Sequence, residues 1–488
     1  VGITADSSQR ARRVVPRGLA MAGLGTAAGV VILDASMVNL ATPAMRTALN
    51  LSTTELSWVV DGYLIAFAGL LLLGGRLADV LGGRRVFLSG VAIYVVASAA
   101  CALALDATTL IAARIFQGAG AAVVTPAALS LMLGLYPGAG ERRRALGMWG
   151  GVAGAGSLLG VALGGVVTQT MGWPAIFWLP VPIEIITAVV VWYAVPPSPA
   201  RPGRFDLSGA AAITVGISAL ALGLISAPEV GWGSARTMAS LAVGAVSLGA
   251  FIVAELRSDQ PLVPLGVFRR VPVVIANTVM LLLGAVSVGL FYFLSQYLQH
   301  VLGMSPTTAG LSQLPIAVLI TLGGFAAPWT ARLVGFRSAM AGALVALSAG
   351  LFWLAQSDAT SEFVPSLLGP FLLIGAGLGL GFVYATTIAV SGAAMGETGL
   401  VSGLINATRQ LGGALGLAAL IAVAAASGPE AAAGAGDGIA YTNAFLGAAV
   451  LALTAAVLSL APAAHREPAS GERDRSDRGS GRRPTVPR

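Results

Sequence analysis

The chain is 488 residues long, 56% apolar and only 10% charged, with a mean hydropathy of +0.85 and a formal charge of +7. Soluble domains carry about a quarter charged residues, so this composition excludes a water-soluble globular protein and makes lipid the solvent for most of the chain. All 28 basic residues are Arg, which is no argument for nucleic acid, and one cysteine with two histidines leaves neither an internal disulfide nor a usual metal cluster to expect.

At about 20 residues per helical crossing, the apolar windows predict an all-α membrane protein with fourteen transmembrane helices. They lie near 18–43, 56–75, 86–105, 109–135, 145–167, 174–195, 207–227, 237–256, 272–298, 308–331, 338–357, 364–390, 401–426 and 440–463. The first run follows Arg10, Arg12, Arg13 and Arg17 in the manner of a signal peptide, yet it continues past Asp34 and similar runs follow it. It is expected to stay as an uncleaved first span.

With a cytoplasmic amino terminus, the loops holding Arg76, Arg84, Arg85, Arg142, Arg143, Arg144, Arg201, Arg204, Arg257, Arg269, Arg270, Arg332 and Arg337, and the Arg-rich tail, all fall inside. Only Arg46 and Arg236 fall outside. Basic loops stay on the cytoplasmic face, which predicts a multi-pass plasma-membrane protein with both termini cytoplasmic; a bacterial cell is the expected setting.

The expected organisation is a basic segment 1–17, a six-helix bundle 18–195, a Pro-rich linker 196–206, an inserted helix pair 207–256, a loop 257–271, a second six-helix bundle 272–463 and a disordered tail 464–488. The two bundles share no obvious identity, so the repeat rests on hydropathy.

An ionised side chain near the bilayer centre costs at least about 2.5–3.5 kcal/mol, and five stand out: Asp34, Asp61, Arg114, Glu184 and Arg409. Counting along the helices places Asp34, Asp61 and Arg114 in the outer half, Glu184 near mid-depth and Arg409 toward the cytoplasm. Desolvation favours a neutral acid and a nearby guanidinium favours a carboxylate, so a movement that alters either makes the acid take up or release a proton. A permanent ion pair is the plain alternative. In the fifth span Gly156, Gly160 and Gly164, beside Gly165, place small residues where helices pack closely, either to slide or to stay. Cys101 reads as apolar filler. No phosphate loop, HExxH or GxSxG is present, which argues against an enzyme.

Several strings resemble the fourteen-span drug:proton antiporters of the major facilitator superfamily. LDASMVNLATPAM at 33–45 is similar to their first-span signature, with Asp34, Asn39 and Pro43. GRLADVLGGRRVF at 75–87 resembles the loop between spans 2 and 3, with Gly75, Asp79, Gly82, Arg84 and Arg85. LIAARIFQGAGAA at 110–122 resembles the fourth-span signature, with Arg114, Gln117, Gly118 and Gly120. WVVDGYLIAFAGLLLL at 58–73 looks like the subgroup with an extra acid, here Asp61. QYLQHVLGMSP at 296–306 and NATRQLGGALG at 406–416 resemble the second half. Val161 stands where the family has Pro, and Val80 and Gly83 where it is usually basic.

The resemblance implies alternating access and export of small hydrophobic drugs against protons, without a cofactor and as a monomer. Asp34, Asp61 and Arg114 are the implied proton-coupling residues; Asn39, Gln117, Glu184 and Arg409 the cavity residues. Gly75, Asp79, Gly82, Arg84 and Arg85 are the implied cytoplasmic gate, and Gly156, Gly160, Gly164 and Gly165 the packing face of the fifth span. An importer, or an exporter dedicated to one metabolite, is the alternative, and a receptor that keeps the fold is the alternative of another class.

Overall fold

A backbone immersed in hydrocarbon has no water to bond with, so its N–H and C=O groups must pair within the segment, and helices follow. The computed structural model describes residues 17–136, 139–197, 207–258, 265–391, 398–425 and 438–460, and every regular element among them is helical. The expected segments 1–17, 196–206, 257–271 and 464–488 therefore lie wholly or partly outside the described residues.

In chain order the helices begin with α1 (Arg17–Leu49), α2 (Thr53–Leu81), α3 (Gly83–Ala102), α4 (Ala107–Leu135), α5 (Ala139–Met171), α6 (Ala175–Trp178) and α7 (Pro180–Ala194). Then come α8 (Leu207–Val230), α9 (Ala235–Arg257) and α10 (Val271–Gln296), the last prolonged by a π turn over Tyr297–Val301. The chain continues with α11 (Pro306–Ser312), α12 (Leu314–Val334), α13 (Phe336–Leu354), α14 (Leu368–Ser391), α15 (Thr398–Ala425) and α16 (Ile439–Ser459).

Local chemistry sets the ends. Ser52 and Glu55 close a reciprocal capping box on α2, the Ser52 N–H donating to Glu55 Oε2 at 2.8 Å and the Glu55 N–H to Ser52 Oγ at 3.2 Å. Gly82 turns the chain from α2 into α3 with φ +94°, a conformation that favours glycine. The expected sixth span, 174–195, is divided at Leu179, where Pro180 opens α7 without an N–H to give. Likewise 308–331 is divided at Gln313, ahead of Pro315 in the first turn of α12.

Among the described residues twelve helices are long and apolar enough to cross a membrane, and α5 and α8 add the shorter apolar stretches Ala155–Met171 and Ala211–Ala227. The packing repeats. In the first half α1 lies on α5 and α7, α4 on α2 and α3, and α3 on α7; in the second, α10 lies on α15 and α16, α14 on α12 and α13, and α13 on α16. α8 pairs with α9 and leans on both α2 and α15. The halves meet where α2 lies on α15, α5 on α11 and α12, and α1 on α10. Gln299 Nε2 donates to the Leu40 carbonyl at 3.0 Å, and the Thr307 N–H to Gln169 Oε1 at 3.2 Å, so polar contacts fasten this seam.

Candidate functional site

The polar centre of the first half is built on three-residue spacing. Arg114 and Gln117 on α4, and Ser98 and Cys101 on α3, each fall on one helix face, and both faces turn toward Asp34 of α1. The Arg114 guanidinium donates through one terminal nitrogen to Asp34 Oδ2 at 3.0 Å and to Gln117 Oε1 at 2.5 Å, and through Nε to the Val59 carbonyl of α2 at 2.9 Å. Gln117 Nε2 donates to Asp34 Oδ1 at 3.2 Å and to Ser98 Oγ at 2.7 Å. The guanidinium also lies 4.2 Å from the centre of the Tyr63 ring and 5.8 Å from that of Phe177, within range of cation–π attraction.

Side-chain exposure is 0% for Asp34 and 1% for Arg114. Removing one partner from so buried a pair costs about 3–5 kcal/mol, because the other charge is stranded. Here the stranding is softened. If Asp34 takes a proton, Arg114 keeps the Val59 carbonyl, the Gln117 oxygen and the Tyr63 face, so the cation stays anchored while the acid changes charge.

The other expected acids are not drawn in. Asp61 is fully buried on α2, and Glu184 of α7 is 1% exposed; neither carboxylate has a hydrogen-bond partner among the described residues. Asn39 gives its amide N–H to the Ala35 carbonyl of its own helix at 3.2 Å and leaves Oδ1 without a partner among the described residues. Gln117 and Glu184, expected in a cavity, are closed to solvent in this conformation. Arg409, half-buried on α15, lies 5.8 Å from the Phe382 ring and meets no carboxylate among the described residues.

At the α2–α3 turn, Arg84 donates to the Val195 carbonyl at 2.9 Å and lies 4.7 Å from the Trp192 ring, both contacts within the first half. Gly75 is half-buried and Arg85 exposed, while the Asp79 side chain lies outside the described residues. On α5, a β-carbon at Gly156 or Gly160 would come within 2.6 Å of the Gly29 or Leu33 carbonyl oxygen of α1, and one at Gly164 within 2.9 Å of Met37. That row joins α5 to its own half. Gly165 turns the other way, against Pro306.

Sequence reasoning missed Tyr63, Ser98 and the Val59 carbonyl, and read Cys101 as filler although its Sγ lies 3.9 Å from Gln117 Oε1. The three-residue spacing of Ser98 and Cys101 was the available signal; nothing in the sequence marks a backbone carbonyl as a ligand. Among the described residues no group of three metal-binding side chains occurs.

A sequence profile of the Major Facilitator Superfamily matches residues 24–417. The chain belongs to this superfamily. It is 39% identical over 440 residues to the cephamycin export protein CmcT of Amycolatopsis lactamdurans, covering 89% of this chain and 90% of that one. It is 34% identical over 401 residues to the tetracenomycin C resistance and export protein of Streptomyces glaucescens, covering 81% and 74%. The superfamily fold is equally plain in three dimensions. The crystal structure of an auto-inhibited POT family peptide transporter superposes with a TM-score of 0.68 at 17% identity, covering 91% of this chain and 96% of the other. As a multi-pass member of a transporter superfamily, this chain has its Asp34–Arg114 cluster inside the matched region.

Proposed function

We propose that this protein exports small hydrophobic drugs or antibiotics across a bacterial plasma membrane in exchange for protons, by alternating access. One observation carries the coupling: an ion pair of Asp34 with Arg114 lies sealed from water among the helices of the first half. The relatives named for export and resistance support the direction. Proton entry neutralises Asp34 while Arg114 waits on its other ligands, and release restores the pair. Asp61 assists as a second acid. Asn39 and Arg409 are assigned to the cavity, Gln117 to the coupling cluster, and the turn at Gly75, Asp79, Gly82, Arg84 and Arg85 to the cytoplasmic gate.

In this reading α5 and α8 also cross the membrane and bring the twelve spans to fourteen. The recurring helix pairs support two six-helix bundles with α8 and α9 inserted, and the Arg-rich loops support cytoplasmic termini. A narrower reading, an exporter for one metabolite, is favoured by relatives named for single antibiotics. Cells expressing wild type or Asp34→Asn, challenged with a panel of toxic lipophiles, decide among these. Broad resistance lost in the variant supports drug antiport; resistance to one compound supports the dedicated exporter. Resistance undiminished in Asp34→Asn overturns the coupling assignment.

A further inference from the structure

Glu184 and the Tyr94 hydroxyl are polar groups of the first half that the coupling cluster leaves unused. Both Glu184 oxygens and the Tyr94 hydroxyl are buried without a hydrogen-bond partner among the described residues. Their level in the membrane follows from the Arg84 contacts, which set the register of α3 against α7. At 1.5 Å per residue, Tyr94 lies about 15 Å along α3 from Arg84, and Glu184 lies about 16 Å back along α7 from Val195. The two groups therefore stand level on adjacent helices. One turn beyond Tyr94 on α3 is Ser98, bonded to Gln117 and through it to Asp34. On the other side, Phe177 beside Arg114 lies about two turns from Glu184.

The charges around α7 fit this stack. Of the helices packed against α7, α1 carries Asp34 with Arg17 and Arg46 toward its ends, α3 carries Tyr94 and Cys101 with Arg84 and Arg85 at its start, and α6 carries nothing ionisable. No cation pairs with Glu184 among the described residues, so an ionised carboxylate there would be buried without compensation, whereas the protonated acid is tolerated.

We propose that Glu184 is a second proton-holding site of the first half, taking up the proton that leaves Asp34 through water admitted when the helices part, with the Tyr94 hydroxyl level with it lining that route. In balance, the acid O–H of Asp34 breaks and its carboxylate pairs with Arg114, while Gln117 stays the donor to Asp34 and Ser98. A water accepts that proton and passes on one of its own. An O–H forms on Glu184, which later releases it toward the Arg84 end. The relay rests on the antiport reading, but the site itself does not.

The test uses the full chain in liposomes, with infrared spectroscopy and ethidium transport on the same preparation. At neutral pH, wild type should show protonated-carboxyl absorption from Glu184 and from Asp61. Glu184→Gln should lose the first and keep the second, and Asp34→Asn should keep both. Ethidium-driven proton flux should fall at least about tenfold in Glu184→Gln, as expected for loss of a positioned proton-transfer group, and fall in Tyr94→Phe too. Unchanged carboxyl absorption in Glu184→Gln overturns the site; an unchanged proton flux overturns the relay. If wild type moves no ethidium against protons, the export reading fails for that compound while the infrared result still decides the site.

Discussion

Gly165 on α5 and Pro306 at the start of α11 meet backbone to backbone across the two halves of the chain, with no room for a β-carbon between them. The neighbouring Thr307–Gln169 hydrogen bond, and the approach of Gly310 to the Val161 carbonyl, close the same seam. The proposed alternating access needs this seam to part. Gly165→Val should hold it open, and cysteines at Gln169 and Thr307 should crosslink readily in the parent chain but at least about tenfold more slowly beside Gly165→Val, a bias of about 1.4 kcal/mol. Equal crosslinking in both backgrounds would show that the contact does not control closure.

The Asp34–Arg114 pair gives a thermodynamic cycle. Asp34→Asn alone strands a buried guanidinium and should destabilise the purified protein by a few kcal/mol, somewhat less than the usual ~3–5 because Val59, Gln117 and Tyr63 still hold Arg114. Arg114→Gln alone strands the carboxylate, which has only Gln117 left, and should cost more. The double variant should be more stable than either single one, a coupling of about 1–3 kcal/mol measurable by thermal unfolding in detergent. Additive effects would mean that the two groups do not act as a pair. Under the proposed coupling, proton-driven export should be absent from all three variants, because the acid assigned to change charge, or the cation assigned to answer it, is gone.

Hydropathy made the helices legible because lipid imposes one rule on every span. α3 at Gly83–Ala102 and α16 at Ile439–Ser459 lie within a few residues of the windows 86–105 and 440–463. The breaks at Leu179 and Gln313 were not anticipated, since a proline near a helix end reads equally as a start or as an interruption. In the site, Asp34 and Arg114 were legible by their charge in hydrocarbon. Tyr63 and Ser98 were not, being ordinary residues in apolar runs that become ligands only once α2 and α3 are packed against α4. The glycine row on α5 was legible as a packing face, but its four members could not be divided between two neighbours: Gly156, Gly160 and Gly164 face α1, and Gly165 faces α11.

Arg84 fastens the start of α3 to the end of α7 through the Val195 carbonyl and the Trp192 ring. Replacing it with Lys keeps the charge but gives up the planar group that stacks and donates at once. Arg84→Lys should lower stability by about 1–2 kcal/mol, and Trp192→Leu should remove most of the difference between Arg and Lys. Thermal unfolding of the four combinations measures this directly. If Arg84→Lys costs the same in the Trp192→Leu background as in the parent chain, the ring contributes nothing.

Asp106 caps α4, the helix that carries Arg114, from the loop outside the span. Its carboxylate accepts the Thr109 N–H at 2.9 Å and the Thr109 hydroxyl at 2.8 Å. The backbone bond first, then the hydroxyl, holds its pKa below the usual carboxylate value. A group whose pKa is lower in the folded cap than in the frayed one binds its proton more weakly when folded. The cap's contribution is therefore complete above the ordinary carboxylate pKa and declines as pH falls through that value toward the lowered one. Exchange of the Thr109 amide, corrected for its intrinsic pH dependence, should accelerate across that acidic window and stay flat at neutral pH. Asp106→Asn, which can still accept the bond, should show no such acid step, and Asp106→Ala should exchange fast at every pH. An acid step that survives in Asp106→Asn would assign the titration to another group.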